Sequence, residues 1–581
     1  MRLVRISCVQ NMQSLFCVCA IALFSFSAKS QTQYIQFGSK EYQLLDRLEI
    51  KTRVDGLSLS SIKPYPRKQT VWAVESIDSA LQKDPNYANI TPIDKENMLH
   101  FFMNNSEWSK PRDFYTSRKP VFNAIYKTKG NLLEVNNPDL FLSINPIVNF
   151  AAGKEKGYSS TLFTNTRGLV ARGMISKQVG FNAYFTENQE RVPRYVSDWI
   201  TLHYAIPGAG NFKDGTYDKK AVVDYFDYRG TVSWNVAKFI DMQLGYDKNF
   251  IGNGYRSLFL SDFGNANTFF KINTRIWKFD YQNLYFELYK QHGAGGENFF
   301  PRKYARMNYL NFKANKWLNL GVFEAVIFQR DKSKGYEFQY LIPVMFIRPA
   351  ESNVGSFDNS LVGFDAKANL GGKVQVYGQF LLDELKIDNF LSNNGWWANK
   401  QGYQAGVKYV DAFGIKNLDL QLEANYVRPF TGQHFDTLSN YTHYNQPLNH
   451  PLGANFKEYI AIAKYQPTPK LYLQGTIINY MQGLDSAGIN YGYWPDEDYR
   501  TRPIDQLTGK TIDYGYHIGD GIKANCTMIQ GIVSYELFEN MFLEATAFFR
   551  TYKREDNPET DKTTTLSIGL RWNIQRRDFM F

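Results

Sequence analysis

Aromatic and acidic side chains crowd together in two stretches of this sequence, and in both the chemistry on offer is contact with sugars. Residues 389–401 carry Trp396 and Trp397 among Asn and Gly residues, and residues 485–526 hold Tyr491, Tyr493, Trp494, Asp496, Glu497, Asp498 and Tyr499. Flat rings stack on the apolar faces of sugar rings, while carboxylates and amides bond sugar hydroxyls. The candidate carbohydrate contacts are Trp396, Trp397, Tyr493, Trp494, Asp496 and Asp498. The same composition also fits an interfacial girdle or a cluster that packs the loops.

Other chemistry is hard to find. Gly509-Lys510-Thr511 resembles the end of a phosphate-binding loop, but position 504 is Ile where the upstream glycine is required, so a turn is expected there. The chain has no His-Glu-x-x-His and no Gly-x-Ser-x-Gly. His434, His443 and His450 cluster in sequence at spacings that match no common metal pattern and read as hydrogen-bonded loop histidines. No enzyme activity, no metal and no cofactor are expected.

The elements that would position these loops are strands. Leu418, Leu420, Leu422, Ala424 and Tyr426 alternate with Asp419, Gln421, Glu423 and Asn425. Val374, Val376, Gly378, Phe380 and Leu382 alternate with Gln375, Tyr377 and Gln379, and Val179–Phe185, Ile240–Tyr246 and Leu471–Ile477 follow the same period of two. An apolar-out, polar-in pattern is what a transmembrane barrel with a wet interior requires. From residue 136 onward the chain divides into units of about 24 residues, giving on the order of 18 strands. Leu566, Ile568, Leu570, Trp572 and Ile574 form the last expected strand, and Phe579 and Phe581 fall out of phase with it, which calls for a bulge or a short tail.

Residues 31–135 have a different rhythm. Ala73, Ile77, Ala80 and Leu81 share one helical face, Met98, Phe101 and Phe102 repeat at helical spacing, and Leu44, Leu45 and Leu48 suggest a further helix. Thr91-Pro92 with Asp94 is a helix-start signal. Three apolar faces need a surface to bury against, so this region reads as a helical bundle packed on the barrel. Residues 1–30 read as a signal peptide: Arg2 and Arg5, an apolar core from Leu15 to Phe26, and Ala28-Lys29-Ser30 before the cut.

Composition agrees with this division. The chain of 581 residues has 39 Tyr, 44 Phe and 10 Trp, types that suit strands and membrane interfaces. After the leader, no apolar run approaches the roughly 20 residues of a membrane helix, and a closed barrel is the other structure that satisfies its backbone in lipid. Cys8, Cys17 and Cys19 fall in the leader, leaving Cys526 alone and excluding an internal disulfide. Net charge is +10, and +7 once Arg2, Arg5 and Lys29 are removed; the charges are spread along the chain, so nucleic acid is not an expected partner.

Three segments carry a family resemblance. Gly245–Asp262 (GYDKNFIGNGYRSLFLSD), Arg348–Leu361 (RPAESNVGSFDNSL), and Arg428-Pro-Phe-Thr followed by Tyr441–Phe456 (YTHYNQPLNHPLGANF) resemble blocks of the Wzi-type capsule-assembly barrels and the related RemB gliding-motility proteins, with the RemB branch nearer. The resemblance covers most of the chain after the leader. It implies a barrel of about 18 strands with a helical bundle in its periplasmic side, acting in one branch as a surface lectin for exported polysaccharide and in the other as a motility accessory, with no enzyme activity in either. Its blocks contain Arg256, Asp262, Arg348, Asp358, Arg428, His443 and His450, which read first as groups holding infolded loops inside the lumen.

The expectation is therefore an all-β transmembrane barrel in the outer membrane of a Gram-negative cell, with residues 1–30 as leader, 31–135 as helical plug and 136–581 as barrel. Its expected partners are outer-membrane lipid, surface polysaccharide and gliding or surface-adhesin machinery. The competing readings are a diffusion channel for a small nutrient and, less favoured for want of motifs, an outer-membrane hydrolase.

Overall fold

The computed structural model describes residues 33–58, 60–117, 125–210, 212–213, 222–290, 300–330, 335–346, 358–384, 388–389 and 394–581. The expected leader, with its three cysteines, and Arg348 lie outside these residues.

Eighteen antiparallel strands close into one barrel. They are β1 Leu140–Glu155, β2 Thr161–Ile175, β3 Val179–Arg191, β4 Val222–Ala237, β5 Ile240–Asp247 and β6 Asn267–Ile276. Next come β7 Phe279–Tyr289, β8 Arg302–Lys313, β9 Leu318–Phe328, β10 Asn359–Leu370, β11 Val374–Glu384 and β12 Lys400–Tyr409. The last six are β13 Leu418–Val427, β14 Phe456–Thr468, β15 Leu471–Leu484, β16 Ile522–Phe538, β17 Met541–Arg554 and β18 Thr560–Trp572. β18 pairs with β1 from Thr565↔Glu155 to Trp572↔Val148, so neither edge is left unpaired. Leu133–Asn136 continues that seam by pairing with Phe141–Ile144.

The period of two sets which residues face lipid. In β16, Ala524, Cys526, Met528, Ile532 and Ser534 are buried inside, while Ile529, Val533 and Tyr535 are exposed outside. Leu169, Phe185, Leu422, Leu566 and Ile568 continue the exposed apolar belt around the wall. Among the described residues no helix is long and apolar enough to cross a membrane.

One sector departs from the expected pattern. Much of the inner face of β7–β9 is apolar (Leu284, Phe286, Leu288, Ala305, Met307, Phe323, Ala325 and Ile327), with Asp280, Gln282, Lys303 and Asn311 also inward, while Asn283, Arg306, Asn308 and Glu324 interrupt the outer face. The reason lies in the lumen. The connection after β5 folds inside and brings Leu258, Phe259 and Leu260 against this sector, Phe259 stacking on Phe323 at 4.7 Å. Apolar wall and apolar loop bury one another there.

The two ends differ. One has short turns, such as 176–178, 238–239 and 277–278, and the other has the long connections; in outer-membrane barrels the short turns are periplasmic. The N-terminal helices occupy the short-turn end: α1 Glu41–Thr52, α2 Asp55–Ser58, α3 Arg67–Lys83 and α4 Pro92–Asn104. Leu44, Leu45, Leu48, Val74, Ile77, Met98, Phe101 and Phe102 form their common core, each side chain contributing about 1.5–3 kcal/mol by burial. At the start of α4, Thr91 and Asp94 form a reciprocal capping box with Pro92 in the first turn. Ion pairs dock the bundle to the wall: Lys367–Glu49 and Lys408–Asp46, both at 2.7 Å, and Lys40–Glu539 at 2.9 Å.

The C-terminus also enters the lumen. The last strand stops at Trp572, before the expected Ile574; Asn573 adopts φ 54°, and the chain turns inward. Arg576 pairs with Glu544 at 2.6 Å, Arg577 pairs with Glu190, and the Tyr195 hydroxyl donates to the Phe579 carbonyl at 2.6 Å. Phe581 packs against Trp199 and Phe263. This short tail is why Phe579 and Phe581 lose the phase of the strand.

Candidate functional site

The long-loop end is built by connections that bond to each other. Residues 394–397 run beside 513–516: Trp397 N–H donates to the Asp513 carbonyl and Tyr516 N–H to the Gly395 carbonyl, both at 2.9 Å. Gly395 has φ +69°, and a Cβ there would lie 2.7 Å from the Tyr516 amide, so only glycine fits. Arg428 ties three connections together, donating from Nε to the Asn399 carbonyl at 2.8 Å and from Nη2 to the Tyr516 carbonyl at 3.1 Å.

This framework puts Trp396 and Trp397, both half-buried, beside Tyr499. The Trp397 ring lies 4.5 Å from Tyr499, with the Arg502 guanidinium 4.2 Å and the Lys400 ammonium 5.5 Å from its centre. Trp396 follows at 6.3 Å. The result is an aromatic patch backed by two buried cations that are already paired, Arg502 with Asp513 at 2.5 Å and Lys400 with Glu384 at 3.3 Å, and its rings are suited to stacking on a sugar ring. Tyr499 stands in the aromatic–acidic stretch of the sequence; Lys400 and Arg502, ordinary charges in sequence, join it only through the fold.

The other candidates go elsewhere. Trp494 is buried, its ring stacked 3.9 Å from His203 and edge-on to Trp199; Tyr493 adjoins it at 5.9 Å and is half-buried. Asp496 accepts from Asn440 Nδ2 at 2.7 Å and pairs with Lys290 at 3.0 Å. Asp498 accepts from the Arg500 amide at 2.8 Å and holds its guanidinium at 2.7 Å. Asp485, just past β15, accepts from the Tyr491 amide at 2.6 Å, and burial pushes its carboxyl up to about 7. Trp199 and His203 sit on α5 (Arg194–His203), a helix absent from the sequence reading, although Tyr195, Val196, Trp199, Ile200 and His203 share one face of it.

The family-block residues hold loops. Arg256 pairs with Glu458 at 3.3 Å and donates to the Met580 carbonyl of the tail. His443 accepts from the Tyr289 amide at Nδ1 (3.1 Å) and donates from Nε2 to the Ala266 carbonyl (3.0 Å); burial pushes its imidazole down to about 3. His450 accepts from the Leu452 amide at Nδ1 and donates to Glu458 from Nε2 at 2.7 Å. His434 lies against Phe435 and accepts from the Asp436 amide. Asp358 is outside the lumen, where it receives both Arg330 nitrogens at 2.8 Å and the Tyr340 hydroxyl at 2.5 Å. Among the described residues no group of three His, Cys, Asp or Glu is placed to hold a metal ion.

Between plug and infolded loops lies a cavity of about 410 Å³ lined by eight basic and four acidic side chains, Asp262 among the latter. Lys63 and Lys248 face it, and burial pushes each ammonium down to about 8. Lys248 donates to the carbonyls of Gly208 and Asp262, both at 2.9 Å.

With strand number, plug and lumen filling in place, a likeness to one solved structure covers nearly the whole chain. Wzi, an outer membrane protein of Escherichia coli, aligns with 94% of this chain and 100% of its own, at a TM-score of 0.55 and 13% identity. The fold is Wzi-like. That protein is described as involved in group 1 capsule assembly and as a carbohydrate-binding β-barrel. OprD and OpdK of Pseudomonas aeruginosa align over 74% of this chain and 94% and 98% of their own, at TM-scores of 0.40 and 0.42 and identities of 12% and 10%. No protein-family model matches the chain, and no curated protein matches it by sequence. The chain is thus an outer-membrane-type barrel with a plug at its short-turn end.

Proposed function

We propose that this protein is a non-enzymatic outer-membrane barrel that binds or organises a surface polysaccharide through its long-loop face. The observation that carries the reading is the patch of Trp396, Trp397 and Tyr499 with Arg502 and Lys400 behind it, set on the mouth of a Wzi-like barrel. The Wzi likeness supports the reading because the protein that shares the fold is described as carbohydrate-binding.

The alternative of a diffusion channel has less behind it. A wall of 18 strands leaves room for an aqueous path, but here helices fill one end, and infolded loops and the C-terminal tail fill the other. A gliding or adhesin-machinery role for the same face has only the sequence resemblance behind it.

The test is polysaccharide retention on cells carrying Trp396→Ala/Trp397→Ala, with barrel assembly checked by the heat-dependent gel shift of folded barrels. Retention should fall while the shift is kept. Unchanged retention in the folded double variant would sink the lectin reading, and steady single-channel conductance of the wild type in planar bilayers would favour the channel.

A further inference from the structure

The departure from the pattern in β7–β9 has a counterpart outside the barrel. Asn283, Asn308 and Glu324 lie near the midpoints of their strands and point outward, where an apolar belt would normally meet lipid. They form a chain: Asn283 Nδ2 donates to Asn308 at 2.6 Å, and Asn308 Nδ2 donates to Glu324 at 3.0 Å. Arg306, one row nearer the long-loop end, stands 3.8 Å from the same carboxylate. Bare in hydrocarbon, such a row would be strongly unfavourable. It is not bare: all four side chains are buried, Arg306 to 1% exposure.

What covers them is residues 335–346, from the connection between β9 and β10. The segment runs down the outer wall and bonds the row with its backbone, leaving Arg306 Nε and Nη1 without hydrogen-bond partners among the described residues. Phe346 N–H donates to Glu324 at 2.8 Å, and Arg306 donates to the Val344 carbonyl. The Tyr285 hydroxyl donates to the Leu341 carbonyl at 3.0 Å, and the Tyr281 hydroxyl to the Pro343 carbonyl at 3.2 Å. Tyr281 is the third residue of β7 counted from the short-turn end, so the segment reaches most of the way along the wall. Tyr340 anchors its upper part, fully buried against Phe328 at 4.6 Å. The outer face of the segment is mostly apolar: Phe338, Leu341, Ile342, Val344 and Phe346 are 40–79% exposed, with Gln339 as an exposed polar side chain near its upper part.

We infer that residues 335–346 form a strap embedded in the outer leaflet and core of the membrane, with a lipid surface as the partner of its exposed face. A connection lying in water would have no physical reason to turn five apolar side chains outward and its carbonyls toward the wall. In lipid that arrangement is required, because each backbone and side-chain polar group must find a partner inside the protein. The strap covers the polar row with an apolar exterior, in line with Leu320 on β9 itself and Phe364 on the neighbouring β10. The departure in turn leaves much of the inner face of β7–β9 apolar for Leu258–Leu260, so one device serves both sides of the wall.

Site-directed spin labelling of the full-length protein tests this. Nitroxides are placed singly at Phe338→Cys and Val344→Cys in a background with Cys8, Cys17, Cys19 and Cys526 all replaced by Ala, and the protein is reconstituted in phosphatidylcholine vesicles. Collisions with oxygen, which concentrates in lipid, are compared with collisions with a water-soluble nickel chelate. Phe364→Cys on the open wall and Leu507→Cys on an exposed loop are the references, and the heat-dependent gel shift checks folding of each. The strap should match Phe364, with chelate accessibility several-fold below that of Leu507. A match to Leu507 would overturn the proposal, and so would shielding from both reagents, since a second copy or another protein would then cover the strap. If Val344→Cys fails to fold, Phe338→Cys, at the more exposed position, decides alone.

Discussion

Arg47 of α1 donates to both carboxylate oxygens of Asp94 in α4, from Nε at 2.8 Å and from Nη2 at 3.1 Å. The same guanidinium reaches Asp411, at 2.9 Å, and Asp419 on the barrel. It therefore joins two helices of the plug to the wall. Burial alone would raise the Asp94 carboxyl, yet Arg47 and Lys51 hold it well below the ordinary carboxylate range. Asp94→Asn removes one anion from a cluster in which Asp411 and Asp419 still meet the cations, and should weaken the joint between α1 and α4 by about 1.5–3 kcal/mol. Hydrogen exchange across α1 and α4 should speed up while the gel shift of the barrel is unchanged. Equal loss in both would show that plug and wall fold as one unit.

The infolded loops should be acid-labile. Burial pushes His203 and His443 down to about 3 and lowers His450 despite Glu458 beside it. Histidines with lowered folded pKa values stabilise fully above their unfolded value near 6.5, and that stability is lost as pH falls toward 3, because the unfolded chain takes up the protons first. The slope is about 1.4 kcal/mol per pH unit for each of His203 and His443 over that window. Acid-induced loosening, followed by tryptophan fluorescence of Trp199 and Trp494 beside His203, should begin below pH 6.5. His203→Gln should flatten it, and an identical profile in that variant would remove His203 from the account.

The strands that face water on one side and lipid on the other were legible because burial alternates with the period of the pleat, as in Leu418–Tyr426. The start of α4 was legible for a local reason, since Thr91, Pro92 and Asp94 act within one turn. The departure in β7–β9 was not, because its cause is distant in sequence: Phe259 inside and the strap outside decide where each face is apolar. The same holds for the sugar candidates. Sequence composition marks Trp396, Trp397 and Trp494 alike, whereas the turn of residues 492–496 toward α5 buries Trp494, and the hydrogen bonds of residues 394–397 keep the other two at the surface. Asp496 and Asp498 look available in sequence, but Lys290 and Arg500 meet them only in three dimensions or in a tight turn.

The C-terminal tail should be released by a single change. Arg256 donates to the Met580 carbonyl and pairs with Glu458, next to the C-terminal Phe581, while the rest of the tail is anchored at Glu190, Glu544, Tyr195 and Gln530. Arg256→Ala removes a charge-assisted hydrogen bond, about 1.5–3 kcal/mol, and leaves Glu458 with His450 as its remaining ionisable partner. Carboxypeptidase should then remove Phe581 from the folded variant and spare the wild type. Resistance in both would mean that the aromatic contacts of Phe581 hold the tail without Arg256.

Trp397 and Trp494 should separate binding from packing. Trp494→Ala opens a cavity between His203 and Trp199 and should cost about 3–5 kcal/mol of stability, read as a lower unfolding temperature of the long-loop end. Trp397→Ala removes a half-exposed ring and should cost less stability, because part of its surface already meets solvent. Its effect should fall instead on capture of polysaccharide, which should drop in the variant because the ring supplies the stacking face of the patch. Capture that is unchanged in Trp397→Ala but lost in Trp494→Ala would place the glycan at α5, against the proposed patch.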